Sequence, residues 1–338
     1  MLTSGNQYVL GIDIGGTNLR LALADMAGGA IVAKWSSSTA GSRDANVIID
    51  LIRSGAEELL RQADVPRSAL KAVAAGAPGV TNVEAGIVVA TSYLLGWRNV
   101  PLRDLLEAAF EVPAAVDNDV NLAAIGEYWA GAAKGVRDFV FLAVGTGIGA
   151  GIILDGKPFR GMDWSAGEIG YMLVPGVSDG VADTSTPGAL EELIGGEGIR
   201  AEWRRRWSKG GTSLCKDLTA TEIFDGAVSG DALARSILEQ SARLLAYAIY
   251  NISLVLNCSL FLLGGGVGMH RALGDATRQE LEKWRRHGNM QLIHSGLGVD
   301  AQLIGAVRLA LDTANDRGGI AETAASKVER TFNATRRK

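Results

Sequence analysis

The segment VDNDVN, residues 116–121, carries two carboxylates and two amides within six positions, directly before an Ala-rich stretch with helical character. A carboxylate held against a reacting hydroxyl can accept its proton, and it must be ionised to do so. Short polar side chains at a helix start also cap its free N–H groups without any chemistry. The residues alone leave both interpretations open, a reactive carboxylate site and a polar helix cap.

Two Gly-rich turns are the other segments that could do chemistry. Residues 8–34 follow the order strand, Gly-rich turn, strand, short turn, strand, and residues 139–160 repeat that order. When the two segments are overlaid, IDIGGT (12–17) faces LAVGTG (142–147), and Asp25 faces Asp155 at the same offset. The pattern indicates an internal duplication.

The second turn also fits a dinucleotide fingerprint, because GTGIGA (145–150) reads G-x-G-x-x-A after a strand. That fingerprint needs a helix to begin inside it, whereas GIILDGKPF follows here and signals a hairpin. A Walker loop is excluded because no glycine is followed by Lys-Ser or Lys-Thr at the required spacing. Two hairpin turns remain, whose glycines let backbone N–H groups approach phosphate oxygens; tight turns without any ligand are the alternative.

The surrounding pattern predicts the elements that position these segments. An amphipathic helix is expected over 43–62 with Ser42 as a cap, then the strand LKAVAAGAPGV, a hairpin-like stretch to Thr91, a helix over 102–110 and the strand AAVDN. In the second half, a buried helix to about Asn257 is expected before the core strand SLFLL. Two α/β lobes with a cleft between them are the simplest architecture.

Composition excludes several classes of function. The net charge of −4 argues against a nucleic-acid or anionic-membrane surface, and the basic end ATRRK is expected to be solvated. Residues 244–269 carry no charge and could span a bilayer, but Asn251, Asn257 and four glycines favour a buried helix and strand. Cys215 and Cys258 lie far apart in a sequence without a secretory leader, which predicts reduced thiols in a cytoplasmic protein.

Seven motifs, in order and spacing, resemble those of the ROK family of sugar kinases within the actin-like ATPase superfamily: DIGGTNLR (13–20), GAPGV (76–80), GWRNVPL (96–102), VDNDVNLAAIGE (116–127), VGTGIGAGIILDGKPFRG (144–161), AGEIGYM (166–172) and LLGGGV (262–267). The resemblance implies an α/β fold of two actin-like, ribonuclease H-like lobes with mixed β-sheets and a cleft between them. We expect an N-terminal lobe over 1–117 completed by a C-terminal helix at about 303–315, a C-terminal lobe over 118–302, and a flexible tail over 316–338.

The resemblance also implies a role for each matching residue. Asp119 is the expected general base, at a helix start where the dipole and free N–H groups favour its ionised form, and Asp117 and Asn121 are expected as helix cap and structural partner. The expected sugar ligands are Gly79, Asn118, Asp119, Glu168, Tyr171 and Glu191. The expected nucleotide and phosphate ligands are Asp13, Gly15, Gly16, Thr17, Asn18, Gly145, Thr146, Gly147, Gly264, Gly265 and Gly266. ATP and Mg²⁺ are the implied cofactors, with Asp13 acting on the Mg²⁺ through water.

The sequence departs from the family at its zinc motif. The positions of the family's His and three Cys ligands are Tyr171, Ala182, Thr184 and Ala189 here. Because all four are replaced together, we expect a chain without structural zinc. Tyr171 and Tyr93, the latter at a position where Asn is common, leave the sugar preference open.

Three functional classes follow from the resemblance. The first is an ATP-dependent hexokinase of glucokinase type, with a polyphosphate donor, another hexose or an N-acetylhexosamine as open variants. The second is a transcription regulator, which needs a DNA-reading helix-turn-helix before the first lobe, where about nine residues stand here. The third is a sugar-binding protein without catalysis. The implied partners are a small-molecule sugar and a second copy of the chain in a dimer, with no nucleic acid and no membrane.

Overall fold

The two Gly-rich hairpins lie inside two sheets of the same topology. The computed structural model describes residues 6–39, 44–91, 94, 96–175, 187–284 and 290–316. The first half of the chain contains, in order, β1 (Tyr8–Ile14), β2 (Asn18–Asp25), β3 (Ile31–Ser38), α1 (Ala45–Gln62), β4 (Leu70–Ala77), β5 (Val80–Asn82), β6 (Ile87–Ala90), β7 (Arg98–Val100), α2 (Leu102–Phe110) and β8 (Ala114–Asn118).

The second half continues with helices around a second sheet. Its elements are α3 (Asp119–Ala130), β9 (Phe139–Val144), β10 (Ile148–Leu154), β11 (Lys157–Pro158), α4 (Glu191–Ile194), α5 (Gly196–Arg206), α6 (Ala220–Val228), α7 (Ala232–Leu256), β12 (Leu260–Gly264), α8 (Arg271–Glu282) and β13 (Gln291–His294). A last helix, α9, covers 301–316. The predicted helix over 102–110, the strand AAVDN and the order of helix and strand around Asn257 are confirmed.

The sheet order confirms the duplication. Among the described residues, one five-stranded sheet has the order β3-β2-β1-β4-β8 and the other has the order β11-β10-β9-β12-β13. In each sheet the central strand pairs antiparallel with its hairpin partner and parallel with the strand on its other side. The chain is therefore an α/β protein of two lobes with mixed sheets, while β5, β6 and β7 form a small separate sheet.

Two helix starts differ from their predictions. Helix α1 begins at Ala45, and the Asp44 side chain caps it by accepting from the Asn46 N–H at 2.8 Å. The predicted cap, Ser42, lies outside the described residues. Helix α3 is capped by Asn118, whose side-chain oxygen accepts from the N–H groups of Val120 and Asn121. The prediction that Asp117 is the cap was wrong, because its carboxylate is used in an ion pair.

Helix α9 packs against strands β1, β2 and β4 of the first sheet. Its side chains Leu303, Val307 and Ala310 are buried together with Val9 of β1 and alanines of β2 and β4. It also crosses α3 closely, since a Cβ added to Gly305 would lie 1.8 Å from the Leu122 carbonyl oxygen. Backbone contact of this kind fixes where the two helices cross. The lobe boundaries at 117/118 and 302/303 stay a prediction, and the tail beyond 316 lies outside the described residues.

The uncharged stretch 244–269 is accounted for within the fold. Its first part is the end of α7 and its later part is β12, which is buried along its whole length. No helix in the described part of the chain combines the length and apolar character needed to cross a membrane.

Candidate active site

Asp119 lies where β8 ends and α3 begins. Its carboxylate accepts the N–H of Val120 at 2.9 Å, and the cap residue Asn118 precedes it. Asn118 also donates its amide Nδ2 to the carbonyl oxygen of Gly79 at 2.9 Å. Gly79 is at φ +89°, and a Cβ there would lie 2.2 Å from the Ala90 oxygen, so this contact depends on glycine. The predicted sugar ligands Gly79, Asn118 and Asp119 are therefore neighbours.

Burial dominates the electrostatics of Asp119. Desolvation first, and then the negative charges of Asp13 and Glu168, raise the pKa of Asp119 to about 7 against the opposing hydrogen bond from Val120. The expectation that the helix start favours the ionised form was thus wrong in its net direction. A carboxyl group with a pKa near neutrality suits a general base, because it accepts a proton readily and is still ionised in a useful fraction.

Asp13 reaches the same site from the first hairpin. It stands opposite Arg20 across the β1–β2 pair, and Arg20 donates to the Asp13 Oδ2 through Nε at 2.8 Å and NH2 at 2.5 Å. Burial raises the pKa of Asp13, and the charge and hydrogen bonds of Arg20 oppose that rise. The guanidinium of Arg20 continues to the carbonyl oxygen of Val299, ahead of α9. Arg20 is therefore a charge partner to which the sequence motif assigned no role.

Two glutamates approach from the second lobe. Burial and the nearby Glu191 charge raise the pKa of Glu168. Glu191 accepts the N–H of Ile148, at the start of β10, at 2.9 Å. Asp13 and Glu168 are therefore close enough to raise the pKa of Asp119 by their charge, and Glu191 acts in the same way on Glu168. Several negative charges in a largely buried place are unfavourable unless a bound ligand or ion compensates them.

The first Gly-rich turn, residues 15–18, is held by hydrogen bonds within the turn and from Thr39. The Gly15 N–H donates to the Asn18 oxygen at 2.8 Å, closing the turn. Thr39 donates its hydroxyl to the Gly16 oxygen at 3.1 Å and its N–H to the Thr17 oxygen at 3.0 Å. The carbonyl groups of Gly16 and Thr17 are thus used on the side of Thr39, which fixes the direction in which the turn faces.

The second turn is held by neighbouring backbone. The Gly145 oxygen accepts the Gly196 N–H at 2.8 Å, and the Thr146 oxygen accepts the Glu197 N–H at 3.2 Å. Gly147 closes the turn by accepting the Gly145 N–H at 2.9 Å. The predicted phosphate residues of this turn therefore lie against the start of α5.

A hypothetical Cβ atom placed on each glycine shows which glycines the packing of the fold requires. At Gly264 a Cβ would lie 2.3 Å from the Phe141 ring, and Gly265 is at φ +81° with the Val144 oxygen at 2.4 Å. At Gly145 and Gly266, in contrast, no atom of the described chain lies within 4 Å of an added Cβ. The open space beside Gly145 and Gly266 is the kind of cradle in which backbone can approach a ligand.

The residues present fit Mg²⁺ with a nucleotide better than a metal held by protein alone. Among the described residues no group of three or more His, Cys, Asp or Glu side chains could hold a metal ion. Mg²⁺ is usually bound by one or two carboxylates together with phosphate oxygens and waters, and Asp13 supplies one such carboxylate. At the zinc positions, Tyr171 and Ala189 carry no zinc ligand type, while Ala182, Thr184 and also Tyr93 lie outside the described residues. The absence of structural zinc stays a prediction.

Arg160 is a site neighbour that the sequence did not single out. It lies within a matching motif, yet only the folded chain brings its guanidinium to the buried carboxylate of Asp117. No spacing in the sequence indicates that contact, because 43 residues separate the partners. Arg20 could have been found, because the hairpin register alone places it opposite Asp13.

The fold is that of a two-lobed α/β protein with mixed sheets, a Gly-rich turn in each sheet, and carboxylates that raise one another's pKa. The ROK family model matches residues 9–313, and the chain belongs to the ROK family. The four predicted carboxylates and both turns lie inside the matched region.

Three similar proteins illustrate the range of the family. A glucokinase from Halalkalibacterium halodurans is 32% identical over 269 residues, covering 78% of this chain and 81% of that protein. A xylose repressor from Caldicellulosiruptor bescii is 27% identical over 262 residues, covering 76% of this chain and 65% of that protein. The crystal structure of a ROK family glucokinase from Streptomyces griseus in complex with glucose and AMPPNP has a TM-score of 0.76 at 28% identity, covering 90% of this chain and 99% of that one. The two glucokinase similarities support a sugar kinase.

Proposed function

We propose that this protein is a glucokinase-type sugar kinase that transfers the γ-phosphoryl group of Mg-ATP to the 6-hydroxyl of a hexose, with glucose the first candidate. The observation that carries the proposal is Asp119, a buried carboxyl group with a pKa of about 7 beside Asp13 and Glu168. A surface acid or a simple helix cap has no reason to carry these properties. Similarity to the two glucokinases adds the substrate class.

In the proposed reaction, ionised Asp119 accepts the proton of the sugar hydroxyl as its oxygen bonds to the γ-phosphorus, and the bond to the bridging oxygen of ADP breaks. Asn118, Glu168, Glu191 and Tyr171 hold the sugar, with the carboxylates accepting from its hydroxyl groups. Mg²⁺, when bound, supplies positive charge to the phosphate oxygens. Asp13 would hold that ion, and backbone N–H groups of both turns and of residues 264–266 would hold the nucleotide.

The test is an ADP-release assay with Mg-ATP over a panel of hexoses and N-acetylhexosamines. We expect turnover on one or two sugars, and a fall of about 10³-fold in kcat for Asp119→Asn, because the amide cannot accept the proton. The matched control is Asp104→Asn, which changes an exposed aspartate in the first turn of α2 and should leave kcat unchanged. Equal activity of wild type and Asp119→Asn would remove Asp119 from the base role.

A sugar-responsive regulator is the second candidate, favoured by the similarity to the xylose repressor. It would bind sugar without phosphorylating it. Binding of a sugar in calorimetry, without ADP release from ATP and without phosphoryl transfer from polyphosphate, would select this candidate. Phosphoryl transfer from polyphosphate but not from ATP would support a sugar kinase that uses polyphosphate as its donor.

A further inference from the structure

A partly buried ion pair joins the two lobes beside the proposed base. Asp117, at the end of β8, is 1% exposed. Arg160, which follows β11 in the second lobe, contacts both carboxylate oxygens of Asp117 through Nε, at 3.3 and 3.1 Å, and contacts Oδ2 again through NH2. The guanidinium therefore binds the carboxylate through two nitrogens, an arrangement that we call the two-nitrogen grip. Lys has one nitrogen and cannot form it.

The Asp117 end of this pair fixes the residues around the base. Its Oδ1 also accepts the backbone N–H of Asn118 at 2.8 Å and the side-chain Nδ2 of Asn121 at 3.2 Å. Asn118 and Asn121 flank Asp119, one before it and the other in the first turn of α3. The direction in which Asp119 leaves β8 is thus set by the carboxylate that Arg160 holds.

The Arg160 end fixes the loop that carries Glu168. The Arg160 carbonyl oxygen accepts the Ala166 N–H at 3.1 Å, which closes the loop on its first residue. The Gly167 oxygen accepts the Ala150 N–H of β10 at 2.8 Å, and the Glu168 N–H donates to the Ser165 oxygen at 3.2 Å. Arg160 therefore connects the loop that ends at Glu168 with the strand that ends at the base.

Stability alone does not account for the pair. Removing a carboxylate and a guanidinium from water costs free energy that their attraction only partly returns, so an apolar pair of similar volume is often as stable. A two-nitrogen grip instead gives one defined geometry. In a phosphoryl-transfer site, the base must lie at a defined distance from the groups that hold the sugar. An ion pair with one defined geometry would set that distance.

We propose that Asp117 and Arg160 are a positioning pair, which sets the distance between the base Asp119 and the sugar-holding loop ending at Glu168. This inference rests on the proposed function. Neither residue touches the reacting atoms in this scheme. Their effect should therefore appear in the handling of the sugar and the chemical step, while nucleotide binding by the Gly-rich turns is unaffected.

The main variant is Arg160→Lys, which keeps the positive charge and removes the two-nitrogen grip. We expect kcat/KM for the sugar to fall by about 100-fold, through a higher KM and a lower kcat, because small misplacements in a pre-organised site have effects of this size. The Kd of a non-hydrolysable Mg-ATP analogue should stay at the wild-type value. The control is Arg137→Lys, which alters an exposed ion pair with Asp155 next to the same β9–β10 hairpin and should change nothing.

A double variant separates positioning from folding. Asp117→Asn with Arg160→Gln leaves no unpaired buried charge, so the chain should fold. If the residues act as one unit, the double variant should lose no more sugar kcat/KM than Arg160→Gln alone. Independent additive losses would contradict a pair.

Three outcomes overturn the inference. Wild-type kcat and sugar KM in Arg160→Lys would show that the grip has no positioning role. A lower Tm with equal changes in sugar and nucleotide binding would show a structural role only. A wild-type chain that phosphorylates no sugar would overturn the proposed function and this inference together, whereas the first two outcomes leave the proposed function standing.

Discussion

The two Gly-rich hairpins have the same place in their sheets and different chemistry. In the β1–β2 hairpin, Asp13 and Arg20 face each other as a buried ion pair. In the β9–β10 hairpin, the corresponding pair of positions is Ala143 and Gly149, which carry no charge. The same backbone thus presents a carboxylate in one lobe and only backbone groups in the other.

The difference in chemistry follows from what packs behind each hairpin. Arg20 donates to the carbonyl oxygen of Val299, in the segment before α9. The positive charge in the first hairpin therefore has a partner outside the hairpin. Gly149 and Gly151 lie against α3, where an added Cβ at Gly151 would be 2.5 Å from the Val120 oxygen. A charged side chain would not fit there. The two copies of a duplicated element therefore differ in the groups that they present, a charged pair in one hairpin and uncharged residues in the other.

The largest expected effect tests the charged hairpin. Asp13→Asn should lower kcat by about 10²–10³-fold, because it removes the carboxylate that would hold Mg²⁺ under the proposed function and leaves Arg20 without its charged partner. Ala143→Asn, at the corresponding position of the second hairpin, is the matched control and should have a far smaller effect on kcat. Steady-state kinetics of both variants checks the comparison, and equal losses would mean that the hairpins do not differ in this way.

The carboxyl group of Asp119 is buried at the start of α3, and this burial should cost stability. The pKa of Asp119 is about 7 in the folded chain, raised from the value of 3.8 that an unfolded chain would have. Between about pH 4 and 7 the folded state keeps a proton that the unfolded state has lost, so stability falls as pH rises and the full penalty applies above pH 7.

Asp119→Asn removes this penalty. We expect the variant to be more stable than wild type at pH 8, by on the order of 4 kcal/mol, with the difference vanishing near pH 4. Urea unfolding at the two pH values measures it. A difference independent of pH would mean that ionisation of Asp119 is not its source.

Gly145, which lies beside open space in the uncharged β9–β10 hairpin, tests whether that hairpin binds nucleotide. Gly145→Ala should leave Tm unchanged, because the added Cβ meets no described atom within 4 Å, and should weaken Mg-ATP binding about tenfold by occupying the cradle. Gly264→Ala is the contrasting variant, because its Cβ would overlap the Phe141 ring and lower Tm. Calorimetric titration and thermal unfolding separate the two. A stable Gly145→Ala chain with normal nucleotide affinity would exclude this turn from the binding site.

The smallest effect is a shift in the pH profile. Because the base acts ionised, kcat/KM should fall about tenfold per unit below pH 7 and level off above it. Asp13 raises the pKa of Asp119, so the residual activity of Asp13→Asn should show this limb displaced to lower pH. An unmoved limb would mean that the two carboxylates do not interact.

The sequence by itself predicted the duplication, the hairpins, the helix over 102–110 and the strand that ends in Asn118, because periodicity and turn residues are local signals. The resemblance of seven motifs supplied the family and the candidate residues. Arg20 was within reach of the hairpin register. These properties depend on residues that are near each other along the chain.

The tertiary structure decided which way the local signals acted. Asp119 has the helix start that favours an anion, yet burial and two carboxylates from distant segments raise its pKa. Asp117 has the position of a cap, yet Arg160, 43 residues away, takes its carboxylate and leaves the cap to Asn118. Burial and long-range charge are properties of the packed chain, which spacing along a sequence does not contain.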